Sequence, residues 1–136
     1  MNCESISYAA ALYKDFSPQV SFFCKNVLRF GAHRSYGLVW SAGLFDYLED
    51  KIFILLIKKL YKLVMPGGEL VIGNFSPLDP SQAYMEFGEW FLNHRDEDHL
   101  ISLAVQCNIP LEACSVGREN EGINLFLHIR KGEMLK

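Results

Sequence analysis

The residues of this chain that could do chemistry gather in two places. Tyr84, Glu86, Trp90, His94 and Arg95 form a polar-aromatic cluster. A guanidinium such as Arg95 can anchor a carboxylate through a two-pronged hydrogen bond. An indole such as that of Trp90 can wall an acyl chain. The structural alternatives are a surface ion pair and a core tryptophan. The second place is the stretch Y-G-L-V-W-S-A-G-L-F-D-Y-L-E-D, residues 36–50. It opens as an apolar strand, narrows to Ser41, Ala42 and Gly43, and then presents Asp46 beside Tyr47. Small residues at the carboxyl end of a parallel strand let a ligand approach the backbone, which is where open α/β sheets bind ligands. Asp46 reads either as part of such a site or as the cap of a strand-to-helix turn. Asn74, at the end of the next apolar run, reads either as a site residue or as a turn former.

Other chemistries find no pattern. The four histidines, His33, His94, His99 and His128, show no metal-ligand spacing, and the sequence has no obvious catalytic dyad or triad. Cys3, Cys24, Cys107 and Cys114 include no C-x-x-C and sit in apolar settings, so small buried thiols in a reducing cytosol are expected. The net charge is −3, and the one lysine cluster (Lys51, Lys58, Lys59, Lys62) reads as a solvated helix face rather than a nucleic-acid footprint. The N-terminus has no basic-then-apolar signal pattern. The longest apolar run, 52–57, is far short of the ~20 residues that cross a bilayer. A cytoplasmic protein with a small-molecule ligand, no nucleic-acid partner and no transmembrane segment is expected. Its 136 residues suit one domain.

The elements that must position these residues follow from periodicity. Residues 3–14 read as a helix, with Ile6, Ala9, Ala10 and Tyr13 at helical spacing, closed by Ser17 and Pro18. Residues 20–24 read as a short strand. Residues 36–41 read as a strand without polar alternation, so both its faces should be covered. Residues 50–64 form a helix buried along Phe53, Leu56, Ile57, Leu60 and Val64, with Asp50 as its cap. M-P-G-G at 65–68 ends it, and 69–75 is the next strand. Residues 81–92 read as a helix or a helix-loop, and 96–107 as a better-marked helix, with acids at its positive end and Asn108 in the left-handed cap position. Strands at 111–116 and 123–129, joined by G-R-E-N-E-G, form a terminal antiparallel hairpin. The order predicts an α/β fold with a mainly parallel sheet and one reversed strand at its end.

Three features, L-V-W-S-A-G, L-V-M-P-G-G-E-L-V-I and the closing I-N-L-F-L-H-I-R-K, in this order, resemble the later part of a class I S-adenosylmethionine-dependent methyltransferase, a Rossmann-like fold. More narrowly, S-A-G-L-F-D-Y-L, G-N-F-S-P and A-Y-M-E-F-G-E-W-F-L-N-H-R resemble the methyltransferase domain of bacterial 3-hydroxypalmitic acid methyl ester biosynthesis proteins. The resemblance implies S-adenosylmethionine as cofactor. Ser41, Ala42 and Gly43 would line its methionine end, and Asn26, Val27 and Leu28 would lie near its adenine. Asp46, Tyr47, Asn74, Glu86, Trp90 and Arg95 would face the acceptor, a lipid-like acid. A carboxylate acceptor is already ionised at neutral pH and needs no general base.

The resemblance also exposes a gap. The family's first strand, glycine-rich loop and ribose-binding acid have no counterpart here, and no G-x-G occurs. Residues 1–136 are then expected to be the C-terminal portion of a single, incomplete methyltransferase domain from a longer or split protein, with Met1 an internal methionine. The isolated chain is expected to be inactive. The alternative is a non-catalytic remnant or interaction module. The missing strands would leave 36–41 as an open edge. Either self-association, docking of the missing half, or a rearranged pairing of 20–24 with 36–41 should result.

Overall fold

The computed structural model describes residues 3–16, 19–31 and 34–133. The expected helix stop at Ser17 and Pro18, and the start at Met1, lie outside the described residues. Two compact units divide the chain, Met1–Ala32 and His33–Lys136.

In the first unit the periodic stretch forms α1 (Cys3–Leu12), followed by a 3-10 turn at Lys14–Phe16. No described side chain of this unit is buried. A covalent link stands in for a core: Cys3 and Cys24 form a disulfide. This corrects the expectation of four buried thiols. Of the four, Cys107 is buried and free, and Cys114 is half-buried and free. Residues 20–24 are not a strand. The predicted strand, and with it the rearranged pairing against 36–41, is therefore absent.

The second unit is a four-stranded sheet in the order β1-β2-β4-β3. Its strands are β1 (Tyr36–Ser41), β2 (Val64–Phe75), β3 (Cys114–Arg118) and β4 (Asn124–Arg130). β1 and β2 run parallel, whereas β2–β4 and β3–β4 are antiparallel. The α/β class and the terminal hairpin are as expected. β1, β2 and β3 run in one direction and β4 alone is reversed, although counted by ladders only the β1–β2 pair is parallel.

α2 (Asp50–Leu63) buries Phe53, Leu56, Ile57 and Leu60, the predicted stripe. The strand after it starts at Val64, not at residue 69. M-P-G-G lies inside β2, where the register against β1 shifts between Tyr36 and Leu38. Gly67 takes φ +78°, and a methyl at Gly68 would stand 2.7 Å from the Gly37 carbonyl. Both glycines are thus dictated by backbone geometry. α3 (Gln82–Phe87) is shorter than predicted. α4 (Glu97–Val105) is capped by Asp96, whose carboxylate accepts from the His99 amide, and Asn108 has φ +63°. Residues 111–113 form a 3-10 turn before β3 rather than its first residues.

Helices α2 and α4 pack on each other and on the same side of the sheet. Val39, Leu70, Ile129 and Cys114 share a row on that side. The other face carries Leu38 and Trp40, which are 56% and 65% exposed. The expectation that both faces of 36–41 are covered is therefore corrected: within this unit helices cover one face.

Candidate functional site

The parallel pair β1–β2 brings two strand ends to one edge of the sheet. Ser41 pairs with Ile72, and β2 runs on through Asn74 and Phe75. Beyond β1 the chain makes a ledge of half-buried Ser41 and exposed Ala42 and Gly43. Gly43 has φ +69°, and a Cβ built there meets nothing within 4 Å. At Gly73 the strands approach closely, with an added Cβ 3.6 Å from the Ala42 Cα and from the Ser41 carbonyl oxygen. The predicted tripeptide thus lies open at the carboxyl ends of the parallel strands.

The turn that follows the ledge and the end of β2 share a polar web. The 3-10 turn Phe45–Tyr47 carries Asp46, whose Oδ1 accepts from the Phe75 amide at 2.6 Å. The Asp46 carbonyl accepts from the Asn93 amide at 2.7 Å and from Asn93 Nδ2 at 3.1 Å. Asn74 Nδ2 donates to the carbonyls of Phe75 and Asn93, both at 2.9 Å, and its Oδ1 accepts from Arg95 at 2.8 Å. Arg95 Nε and Nη2 donate to Asp50 Oδ1 at 3.0 and 2.9 Å. Its remaining hydrogens go to the carbonyl oxygens of Phe45 at 3.2 Å and Leu48 at 2.5 Å, and to Asn74. The guanidinium lies 4.5 Å from the centre of the Phe53 ring. His99 Nε2 stands 2.9 Å from Asp50 Oδ2.

This web corrects three assignments. A guanidinium has five N–H donors, and those of Arg95 are taken up inside the protein. Arg95 is 2% exposed, and it has no fork left for a substrate carboxylate. Asp46 and Asn74, 2% and 1% exposed, do not reach the surface. Asp46 neither borders an open mouth nor caps a helix; it ties the turn after the ledge to the end of β2. All three tie the turn that follows the ledge to the end of β2. Asp50 likewise makes no cap hydrogen bond to α2, whose N-cap is Glu49.

Burial raises the Asp46 carboxyl above its ordinary value, against the opposing pull of the Phe75 amide. Asp50 is held below its ordinary value. Burial acts upward, but the hydrogen bonds from Arg95 and His99 outweigh it. Asp79 is lowered in the same manner, its burial outweighed by bonds from Ser81 and His94. His94 Nε2 stands 3.3 Å from Asp79 Oδ2, which places it in a structural pair.

Two predicted residues do meet at the surface. Trp90 Nε1 donates to the Tyr47 hydroxyl at 3.0 Å, and both rings are half exposed. Glu86 is exposed on α3 and accepts from Gln82 at 2.8 Å. Asn26, Val27 and Leu28 belong to the first unit, where Asn26 Oδ1 accepts from the Leu28 amide at 2.9 Å. Sequence reasoning missed Asn93 and His99, whose partners lie 47 and 49 residues away. No local pattern marks such contacts. A cleft of about 380 Å³ opens beside the web, lined by Glu49, Asp50, Lys51, Asn93, His94, Arg95 and His99. Another of about 310 Å³ lies between Ser76–Leu78 and Asp96–Asp98. Neither is lined by Ser41–Gly43. Among the described residues no cluster of metal-ligating side chains occurs and no helix is long and apolar enough to cross a membrane.

No family model matches the sequence, and neither does any curated protein. Solved structures do share the fold. A "possible exported protein" from Bordetella parapertussis superposes with TM-score 0.78 at 16% identity, over 96% of this chain and 51% of that one. An O-methyltransferase family protein from Burkholderia thailandensis gives 0.69 at 16% identity, over 95% and 41%. The N-methyltransferase NodS from Bradyrhizobium japonicum WM9, in complex with S-adenosyl-L-homocysteine, gives 0.61 at 20% identity, over 94% and 62%. The fold is therefore the one found in S-adenosylmethionine-dependent methyltransferases, and the chain spans between two-fifths and three-fifths of the length of these structures.

Proposed function

We propose that the chain is the later portion of a single methyltransferase domain, working as part of a longer or split enzyme. It would carry the floor of the S-adenosylmethionine site and the acceptor side of the cleft. The observation that supports this reading is the open Ser41–Gly43 ledge at the carboxyl end of a parallel strand, in a fold shared with O- and N-methyltransferases. The residues fit the methionine end of the cofactor. A small, exposed tripeptide with a left-handed glycine lets a ligand reach the backbone. Bound there, the cofactor would supply an electrophilic methyl group on a sulfonium. The chain's own contribution is alignment. Asp46, Asn74 and Arg95 fix the turn after the ledge against the end of β2, and Tyr47 with Trp90 offers an aromatic wall to an apolar acceptor. The acceptor we favour is a carboxylate of a small lipid-like acid, in keeping with the resemblance to 3-hydroxypalmitic acid methyl ester biosynthesis proteins and with the absence of an exposed general base on the ledge. The cytoplasm is the compartment expected from the sequence, and the Cys3–Cys24 bond favours an oxidising one instead.

With one wall, the isolated chain should bind cofactor weakly and turn nothing over. Amide NMR of the whole chain titrated with S-adenosyl-L-homocysteine tests this. Millimolar ligand should move the signals of Ser41, Ala42, Gly43 and Tyr47 first. If those signals stay fixed while others move, the ledge is not the cofactor floor. A second reading, a non-catalytic interaction module, is favoured by the exposure of Leu38 and Trp40. Submicromolar cofactor binding by this chain alone would sink it.

A further inference from the structure

We infer that the cleft of about 380 Å³ beside the polar web binds a small neutral alcohol or phenol, whose hydroxyl proton His99 accepts. His99 and Asp50 stand in the first turns of α4 and α2, and His99 Nε2 lies 2.9 Å from Asp50 Oδ2. The other oxygen, Oδ1, is held by Arg95 Nε and Nη2 at 3.0 and 2.9 Å. The buried guanidinium fixes the carboxylate, and the carboxylate fixes the imidazole ring. An ionised carboxylate only accepts hydrogen bonds, so Nε2 carries the hydrogen. In the neutral ring the free lone pair is then on Nδ1. Among the described residues no hydrogen bond reaches that atom, and the His99 side chain is 41% exposed and lines the cleft. His94 lines the same cleft without this capacity. Its Nδ1 stands 3.2 Å from the Leu92 carbonyl and its Nε2 3.3 Å from Asp79 Oδ2.

The other lining groups select the ligand. Glu49 and Asp50 are carboxylates and Lys51 and Arg95 are cations, so the wall is balanced and favours neither an anion nor a cation. Asn93 Nδ2 donates to the Asp46 carbonyl at 3.1 Å, which leaves its Oδ1 open. The open neutral groups thus include two acceptors, His99 Nδ1 and Asn93 Oδ1, and hydroxyl hydrogens satisfy them without adding charge. On proton transfer the O–H bond breaks, the proton goes to Nδ1 and the electron pair stays on oxygen. The Asp50 carboxylate offsets the charge of the imidazolium. Because a phenol titrates near ~10 and an imidazole near ~6.5, the proton is shared at rest and passes over as the oxygen becomes a nucleophile. The cleft belongs to the sheet end that carries the ledge: the Arg95 amide donates to the Phe75 carbonyl at 2.9 Å and the Asn93 amide to the Asp46 carbonyl at 2.7 Å. A hydroxyl acceptor needs the base that a carboxylate acceptor does not. The inference therefore adds an acceptor class to the proposed methyl transfer, and that extension alone rests on the earlier reading; the binding site does not.

Nitrogen-15 NMR of the whole chain at about pH 8, above the ordinary imidazole value of about 6.5, should show His99 with Nε2 protonated and Nδ1 bare. Phenol at millimolar concentrations, on the order expected of so small a ligand, should then move the Nδ1 signal and the amides of His99 and Asn93. Anisole, which keeps the ring and lacks the O–H, should bind about tenfold more weakly. His99→Phe should abolish the difference between the two probes while the amide spectrum keeps its dispersion. Asp50→Asn tests the positioning of the ring with the shape of the side chain kept. The amide oxygen stays with Arg95 and the NH2 turns to Nε2, so the hydrogen moves to Nδ1 and the preference for phenol is lost. A parent chain with Nδ1 protonated, equal binding of phenol and anisole, or a phenol preference that survives either substitution would each overturn the proposal. The S-adenosyl-L-homocysteine titration reads the amides of Ser41–Gly43 instead, so either reading can fail while the other stands.

Discussion

Arg95 shows how a residue chosen for its chemistry is claimed by structure. Its planar fork reaches two carboxylate-facing and three carbonyl- or amide-facing directions at once, which an ammonium cannot do. Arg95→Ala would leave the Asn74 oxygen and the Leu48 carbonyl without their donor and the Phe45 carbonyl with the Leu48 amide alone, at a cost of about 3–5 kcal/mol. Arg95→Lys should recover only part of it. Denaturant unfolding followed by tryptophan fluorescence measures both. The carboxylates give opposite pH signatures. Asp50 and Asp79 have depressed values when folded, so their stabilisation is present above the unfolded value of about 3.9 and is lost as pH falls through the depressed values. Asp46 has a raised value, so it binds its proton more tightly when folded and costs stability as pH climbs from about 3.9 through that raised value. Asp46→Asn keeps an oxygen for the Phe75 amide and removes the buried charge. It should be neutral or stabilising at pH 7 and bring no gain at pH 3, as a stability–pH curve would show. That small and polar residues stand at the ends of β1 and β2 was legible from the sequence. What they bond to was not, since the Arg95 partners Asn74 and Phe45 stand 21 and 50 residues away.

At the scale of elements, periodicity was a sound guide where burial enforces it. The α2 stripe appears where 3.6-residue spacing puts it, because one side of that helix must lie on the sheet. Boundaries shifted where backbone geometry intervened. The P-G-G segment was read as a stop between helix and strand, yet it is a bulged part of β2, tied to Lys131 by the Gly67 amide and Gly68 carbonyl at 2.9 Å each. Gly68→Ala places a methyl against the Gly37 carbonyl and should cost about 1–3 kcal/mol by overpacking. A loss of protection at Leu38 and Val39 in hydrogen exchange would localise the damage to the β1–β2 join. The 20–24 segment failed as a strand for want of a partner strand, although its apolar run has the right composition. Its end is held covalently instead. Cys24→Ser removes a loop closure across a 21-residue separation, worth about 3 kcal/mol in the chain-entropy estimate. Exchange at the α1 amides should rise markedly, since no described side chain of that unit is buried.

Within the second unit the sheet has helices on one face, and among the described residues β1 has β2 as its one ladder partner. A ledge with one wall holds a ligand poorly, so S-adenosyl-L-homocysteine at 100 µM, on the order of cofactor concentrations that stabilise complete sites through mass action, should not raise the thermal midpoint of this chain. A rise of several degrees would mean that a second wall exists. In the second unit, the sheet face that helices leave uncovered is the one that carries Leu38 and Trp40.

The sequence by itself determined the class of fold, the α2 core stripe, the closing hairpin and the small-residue neck at Ser41–Gly43. These are properties of local spacing, and the chain adopts them wherever one face must be buried. Only the tertiary structure decided that Arg95, Asn74 and Asp46 are internal braces, that Cys3 and Cys24 are joined, and that Leu38 and Trp40 face outward. Those outcomes depend on which distant segments arrive beside one another, and separations of twenty to fifty residues leave no mark in the local pattern.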